Sequence, residues 1–266
     1  MSGSKLVTPK LGYFLGRNRD PHDVRDHVLR MMKPVRDQVG DIDVTTGLSL
    51  PTYDQLNLGG CTGNAGAFFR RWLCQKFLRY SANDQELSRL FLYYAERALP
   101  WNNSTAEDSG ANMRDICYVL AHTGIPPEAD DPYIVADFAN QPSANSYTDA
   151  ALYKIGAYHR VPDADTVISC LVSGYPVLLG FTVYESFEDI GSDGLMPMPG
   201  KNEQIIGGHA TVIIGYYSAQ KLFLVQNSWG TSFGKNGKFL MPEAFLDNPD
   251  MSQFDSWVLH LGPAWK

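Results

Sequence analysis

A chain of 266 residues with 44% apolar and 19% charged side chains has the material for a substantial core and is not a disordered polypeptide. Its 22 basic against 29 acidic residues give a net charge of -7, with no basic run to track a phosphate backbone, so nucleic acid is not an expected partner. No stretch reaches the roughly 20 apolar residues of a membrane helix, so no membrane partner is expected. The opening Met1 to Lys10 lacks the apolar core of a secretory signal. Cytoplasmic residence is the default expectation, with export by another route left open.

Residues 1 to about 45 are polar and irregular, carrying Pro9, Pro21, Pro34 and the charged run Arg17 to Asp23. Val24 to Met32 has the makings of a short helix. This extension is expected to wrap a body made of residues 46–155 and 156–266. A turn-rich approach, Pro51 to Gly60, leads into Cys61, after which Ala65, Phe68, Phe69, Trp72, Leu73 and Phe77 recur at helical spacing. Leu87, Leu90, Phe91, Tyr94, Ala95 and Leu99 predict a second helix. Met113, Ile116, Cys117, Leu120 and Ala121 predict a third, which Gly124 stops. From about residue 156 strands take over. Tyr158 to Val161 reads as a strand, Asp163 to Ser173 as a helix and Val177 to Val183 as a strand. Ala210 to Tyr217 and Leu222 to Val225 then form a hairpin pattern around Ser218-Ala219-Gln220. Asp193 to Ile206, rich in Gly, Pro and Met, is either a lid over a cleft or a long surface loop. The fold class expected is α+β, helical in the first half and mainly sheet in the second.

Cys61, Cys74, Cys117 and Cys170 lie far apart, with no C-x-x-C pair to suggest a zinc site or a redox dithiol. Three of them read as small buried apolar groups. Cys61 opens a helix, where unsatisfied N–H groups and the macrodipole favour thiolate over thiol. A nearby histidine would add to this, taking the pKa from about 8.5 into the range of roughly 3.5 to 7.5. Gly59, Gly60 and Gly63 would let an acyl group approach the sulfur. A cysteine at a helix start is more often a packing residue than a catalyst; the weight comes from two later segments. Gly207-Gly208-His209-Ala210 opens a strand and Gln226-Asn227-Ser228-Trp229-Gly230 closes the next. If those strands pair, His209 can turn one nitrogen to sulfur while the Asn227 amide oxygen accepts from the other, with Trp229 shielding that bond. His22, His27, His122, His159 and His260 lack a ligand spacing, and no metal or cofactor is expected.

The order Gln55, Cys61, His209, Asn227, with Asn-Ser-Trp-Gly around the last, resembles the papain-like cysteine peptidases. His209 and Asn227 follow Cys61 by 148 and 166 residues, against about 130 to 150 in that family, so the asparagine runs slightly long. Asn227 to Gly237 looks like the family's Trp-Gly and Gly-x-x-Gly segment, with Phe233 in place of tryptophan. The wording Tyr53-Asp54-Gln55 and Cys61 to Ala65 resembles a bacterial branch. There are departures: Leu58 and Asp108 stand where many members pair two cysteines, Thr62 replaces an aromatic residue, and Leu56 replaces a glycine.

The resemblance implies a two-lobed α+β fold, with a helical left lobe and an antiparallel β-barrel-like right lobe and the active site in the cleft between them. It implies a cysteine peptidase acting on a peptide or protein substrate through a thioester, expected here as a monomer. Cys61 would be the nucleophile, His209 the acid/base and Asn227 its orienting partner. Gln55 and the Cys61 N–H would hold the oxyanion. Ser109, Gly110 and Ala111 match the strip that hydrogen-bonds an extended substrate, Met113 the apolar wall of its pocket, and Gly208 and Trp229 further substrate contacts. Sixty residues precede Cys61, more than in mature family members, so the first 40 or so resemble a retained propeptide. That segment is expected either to lie over the cleft and restrain activity or to pack on the back of the protein. An acyltransferase using the same thioester and a binding scaffold with an occluded cleft stay open as alternatives.

Overall fold

The computed structural model describes residues 9–78 and 85–262, so the first eight residues of the expected extension lie outside the described residues. Small residues let helix α1 (Cys61–Leu73) run through the middle of the molecule, and all 13 of its residues are buried. Gly63 abuts the Arg89 carbonyl at the start of α2 (Arg89–Arg97), where an added Cβ would fall 2.5 Å from that oxygen. Gly66 meets Leu92 of α2 and Ile116 of α3 (Met113–His122) in the same way. Ser88 caps α2 by accepting from the Phe91 N–H at 3.0 Å. Gly124, at φ +93°, ends α3 in the left-handed conformation that suits glycine.

The second half builds an antiparallel sheet in the order β4 (Ala157–Arg160), β9 (Asp255–His260), β5 (Val177–Tyr184), β6 (Ile205–Tyr217), β7 (Leu222–Gln226) and β8 (Lys238–Pro242). Helix α4 (Ala164–Val172), capped by Asp163, lies between β4 and β5 in the chain. All of β5 except Tyr184 is buried, as expected of a strand covered on both faces. In the β6–β7 hairpin Val212 pairs with Gln226, which brings His209 and Asn227 to one end. That end faces the N-terminus of α1.

The N-terminal segment supplies two short strands. β1 (Arg17–Asn18) runs parallel to β3 (Ala111–Asn112), and β2 (Ile42–Asp43) pairs antiparallel with β6. The short helix predicted over Val24 to Met32 does not form. The chain there bonds along β4 instead, with Leu29 N–H donating to the Arg160 carbonyl at 2.8 Å and Arg160 N–H to the His27 carbonyl at 2.9 Å. Val24 and Met32 stand 87% and 93% exposed, so no apolar face was there to pull a helix onto the core. The Asp193 to Ile206 stretch is pinned to β8 through Leu240 N–H to the Gly194 carbonyl (2.7 Å) and Met196 N–H to the Leu240 carbonyl (3.0 Å), with Met196 buried. Among the described residues no helix is long and apolar enough to cross a membrane.

The close α1–α2 crossing generates a test. Gly63→Ala should force the two helices apart and destabilise the protein by about 1–3 kcal/mol, read as a lower urea midpoint.

Candidate active site

Cys61 is the first residue of α1, preceded by Gly60 as a cap that makes no side-chain bond. The approach loop is fixed from both sides. Gln55 N–H donates to the Ser228 carbonyl at 2.8 Å and Gly230 N–H to the Tyr53 carbonyl at 2.9 Å, tying the loop to the turn after β7. Ser228 Oγ donates to Gln55 Oε1 at 2.8 Å, which leaves the amide nitrogen to face the cleft. Leu56 takes φ +55°, the left-handed conformation a glycine would adopt at less cost. Where the resemblance led to a missing disulfide, the Asp108 carboxylate accepts from Gly59 N–H at 2.9 and 3.1 Å and from the Tyr93 hydroxyl. Thr62 points inward and donates to Glu96. Cys61, Cys74, Cys117 and Cys170 are all buried, and none of them is in a disulfide.

His209 Nε2 lies 2.7 Å from Asn227 Oδ1, so in the neutral ring the proton sits on Nε2. Nδ1 is buried without a partner among the described residues. The Trp229 ring covers the imidazole at 5.0 Å between centroids. Cys61, Gln55 and His209 are each 0% exposed. What seals them is the protein's own chain.

Residues 13–18 run through the cleft. Tyr13 stacks on Trp229 at 4.7 Å with planes 3° apart, and its hydroxyl donates to the Trp229 carbonyl at 3.1 Å. The Phe14 carbonyl accepts from Gln55 Nε2 at 2.9 Å. The Gly16 carbonyl accepts from Ala111 N–H at 2.8 Å, and Asn18 Nδ2 donates to the Ser109 carbonyl at 3.1 Å. Gly16 is wedged so tightly that a Cβ on it would fall 1.9 Å from the Gly59 oxygen, and one on Gly110 would fall 1.8 Å from the Gly16 oxygen. Gly208 stands under the Arg17 carbonyl, and Met113 beside the Arg17 side chain, where both crowd the missing Cβ of Gly180. Each residue that the resemblance assigned to substrate thus lies against this segment. The segment's own residues and Asp108 carried no periodicity or motif that could reveal their place at the cleft, and the Asn-Ser-Trp-Gly motif that holds Ser228 gave no sign of its bond to Gln55.

A family model, papain family cysteine protease, matches residues 102–251, a span that holds His209, Asn227 and Trp229 but not Cys61. An uncharacterized peptidase C1-like protein of Acanthamoeba polyphaga mimivirus is 35% identical over 227 residues, which is 81% of this chain and 71% of that protein. The chain belongs to the papain family. The crystal structure of xylellain, a cysteine protease from Xylella fastidiosa, superposes with a TM-score of 0.85 at 33% identity over 96% of this chain and 97% of that one. Procathepsin B S9 from Trypanosoma congolense shares the fold at a TM-score of 0.70 and 14% identity, over 97% of this chain and 88% of that one. This papain-family chain is therefore a cysteine peptidase, a hydrolase whose family acts on protein or peptide substrates.

Sealing changes the electrostatics. Burial pushes the Cys61 thiol up to about 11, against the opposing pull of the Ala210 and Gly16 N–H groups, and Glu96 adds to the rise. Burial lowers His209 to about 4, although its bond to Asn227 favours the charged ring. The expectation of a depressed thiol pKa is thus overturned for the closed arrangement. Desolvation outweighs the helix N-terminus, because a charge is disfavoured wherever water is excluded. Thiol and imidazole both stay neutral at pH 7 here. The thiolate absorbance that the Cys61→Ala variant lacks should accordingly titrate only under strongly alkaline conditions in the full-length chain. A step at or below neutrality would mean that the ion pair persists beneath the segment.

Proposed function

We propose that Cys61 is the nucleophile of this peptidase, His209 its acid/base, Asn227 the residue that orients His209, and Gln55 with the Cys61 N–H the oxyanion donors, all held in check by residues 13–18. The observation that carries this reading is the Phe14 carbonyl oxygen resting 2.9 Å from Gln55 Nε2. A carbonyl oxygen already occupies the place where a developing oxyanion would be held. The segment's group turned to the Cys61 sulfur is the Gly16 N–H, a donor that a sulfur accepts from but cannot add to.

Once the segment lifts, water re-enters and the thiolate–imidazolium pair becomes accessible to charge. The sulfur adds to a substrate carbonyl carbon, and His209 delivers its proton to the leaving amine. Water, deprotonated by His209, then cleaves the thioester and returns the free thiol. Asn227 keeps the ring aimed throughout, and Trp229 keeps water off the Nε2–Oδ1 bond. The closed cleft also favours a second reading, a scaffold that binds without catalysis, and one variant separates the two. Gly16→Ala in the full-length chain cannot seat its segment, since its Cβ would meet the Gly59 oxygen.

Every 1.4 kcal/mol by which that clash opposes docking shifts the equilibrium about tenfold. Gly16→Ala should therefore raise kcat/KM on a fluorogenic peptide by about tenfold or more, and adding Cys61→Ala should abolish it. Unchanged kcat/KM together with an unmodified Cys61 after iodoacetamide treatment would favour the scaffold. In the Gly16→Ala background, Gln55→Ala should lower kcat by on the order of 10² to 10³ with the fold intact. An unaltered kcat removes Gln55 from the oxyanion site.

A further inference from the structure

Arg17 follows the residue whose N–H meets the Cys61 sulfur, and its side chain turns down into a pocket until the residue is 5% exposed. Gly180 opens the way: a Cβ there would fall 2.7 Å from Arg17 Nε and 2.7 Å from Met113 Cγ. At the floor, Nη1 and Nη2 of Arg17 both donate to Gln253 Oε1, at 2.7 and 2.9 Å. Nη1 also lies 3.5 Å from Asp255 Oδ2. Gln253 and Phe254 hold φ values of 55° and 47°, two consecutive left-handed residues without glycine. Such strain persists where the surroundings over-determine it, and it clusters at ligand clamps.

Asp255 is 1% exposed, and its two oxygens are served differently. Oδ1 accepts from Arg160 at 2.9 Å, a bond within the body of the protein. Among the described residues Oδ2 meets the N-terminal extension: the Asp20 N–H at 3.0 Å and the Arg17 guanidinium. With Arg17 and Asp20 lifted away, a substrate that refills the pocket and excludes water again must satisfy both this carboxylate oxygen and the Gln253 carbonyl. Buried acceptors left without a donor are costly, and a side chain that only donates serves both at once. The forked guanidinium matches two acceptors better than a point-charged ammonium does.

We propose that Gln253 and Asp255 form an arginine-reading pocket for substrate, taking the side chain that precedes the residue supplying the scissile carbonyl, with Arg17 holding its place in the closed chain. The proposal rests on the peptidase reading given above. The opposing influence is also visible. Arg114 and Arg160, whose guanidinium carbons lie 5.8 and 5.3 Å from the Trp257 ring, pair with Asp26 and Asp20 of the extension and would be left uncompensated if those carboxylates moved away with residues 13–18. A pocket ruled by their charge would take a leucine or glutamate instead.

The test compares fluorogenic dipeptide amides Arg-Arg, Lys-Arg, Leu-Arg and Glu-Arg on the full-length Gly16→Ala chain. The expected order of kcat/KM is arginine, then lysine, then leucine, then glutamate, with arginine ahead of leucine by about tenfold or more, because unpaired buried acceptors reject the apolar side chain. Gln253→Leu in the same background should bring arginine and leucine to parity or invert them, and Asp255→Asn should narrow the gap in the same direction. Preference for leucine or glutamate in Gly16→Ala overturns the proposal, as does an equal loss on all four amides in Gln253→Leu. Cleavage without arginine preference leaves the peptidase reading standing. Absence of any cleavage, with Cys61 unalkylated, removes that reading and this proposal together.

Discussion

Gly16 has no side chain, and the closed state of this protein depends on that. Its backbone lies between the backbones of Gly59 and Gly110, at distances where a single added carbon would overlap an oxygen. Three glycines meeting in this way let one strand of chain settle onto the mouth of α1 with no gap for water. From that fit follow the complete burial of Cys61, His209 and Gln55, the occupied amide of Gln55 and the depth to which Arg17 reaches. The constraint is steric, so it is all-or-none in a way that a surface ion pair is not.

The electrostatic state of the site is a consequence of that seal. A helix N-terminus stabilises a nearby anion by about 0.3–1 kcal/mol when exposed, and desolvation can move a fully buried group by several pKa units. The larger effect prevails at Cys61, which is held as a thiol beside a neutral imidazole. On the proposed reading, water on one side would let the same side chains take the opposite outcome. Asn227 is already bonded to Nε2, and Nδ1 has no competing partner among the described residues. The bond that would aim His209 is thus already present in the closed chain.

The sequence announced this site where local chemistry is dense. Alternation along Ala210 to Tyr217 and Leu222 to Val225 marked a hairpin, and flanking glycines and an Asn-Ser-Trp-Gly turn pointed to the end where His209 and Asn227 meet. The apolar spacing after Cys61 placed that residue at a helix start, as the fold has it. The path of the N-terminal segment was not legible. β1 is two residues long, too short for any period, and its pairing with β3 spans more than 90 residues of chain. Asp108 likewise looked only like half of an absent disulfide. Its role as acceptor for Gly59 and Tyr93 exists because the fold brings a backbone N–H and a hydroxyl to it. Val24 to Met32 misled because helical spacing without a surface to pack on is outbid by backbone pairing with β4.

The anchoring of β2 to β6 has a further consequence for how the segment acts. On the reading proposed above, a segment joined to β2 by covalent chain would return to the cleft at a high effective concentration, the more so because His27 and Leu29 hold the intervening chain along β4. Weak contacts would then suffice to keep the cleft occupied, and dilution would not release it. Under the restraint proposed above, the stretch between residues 13–18 and β2 is where a cut would turn an intramolecular competitor into a separate peptide that solvent volume can disperse.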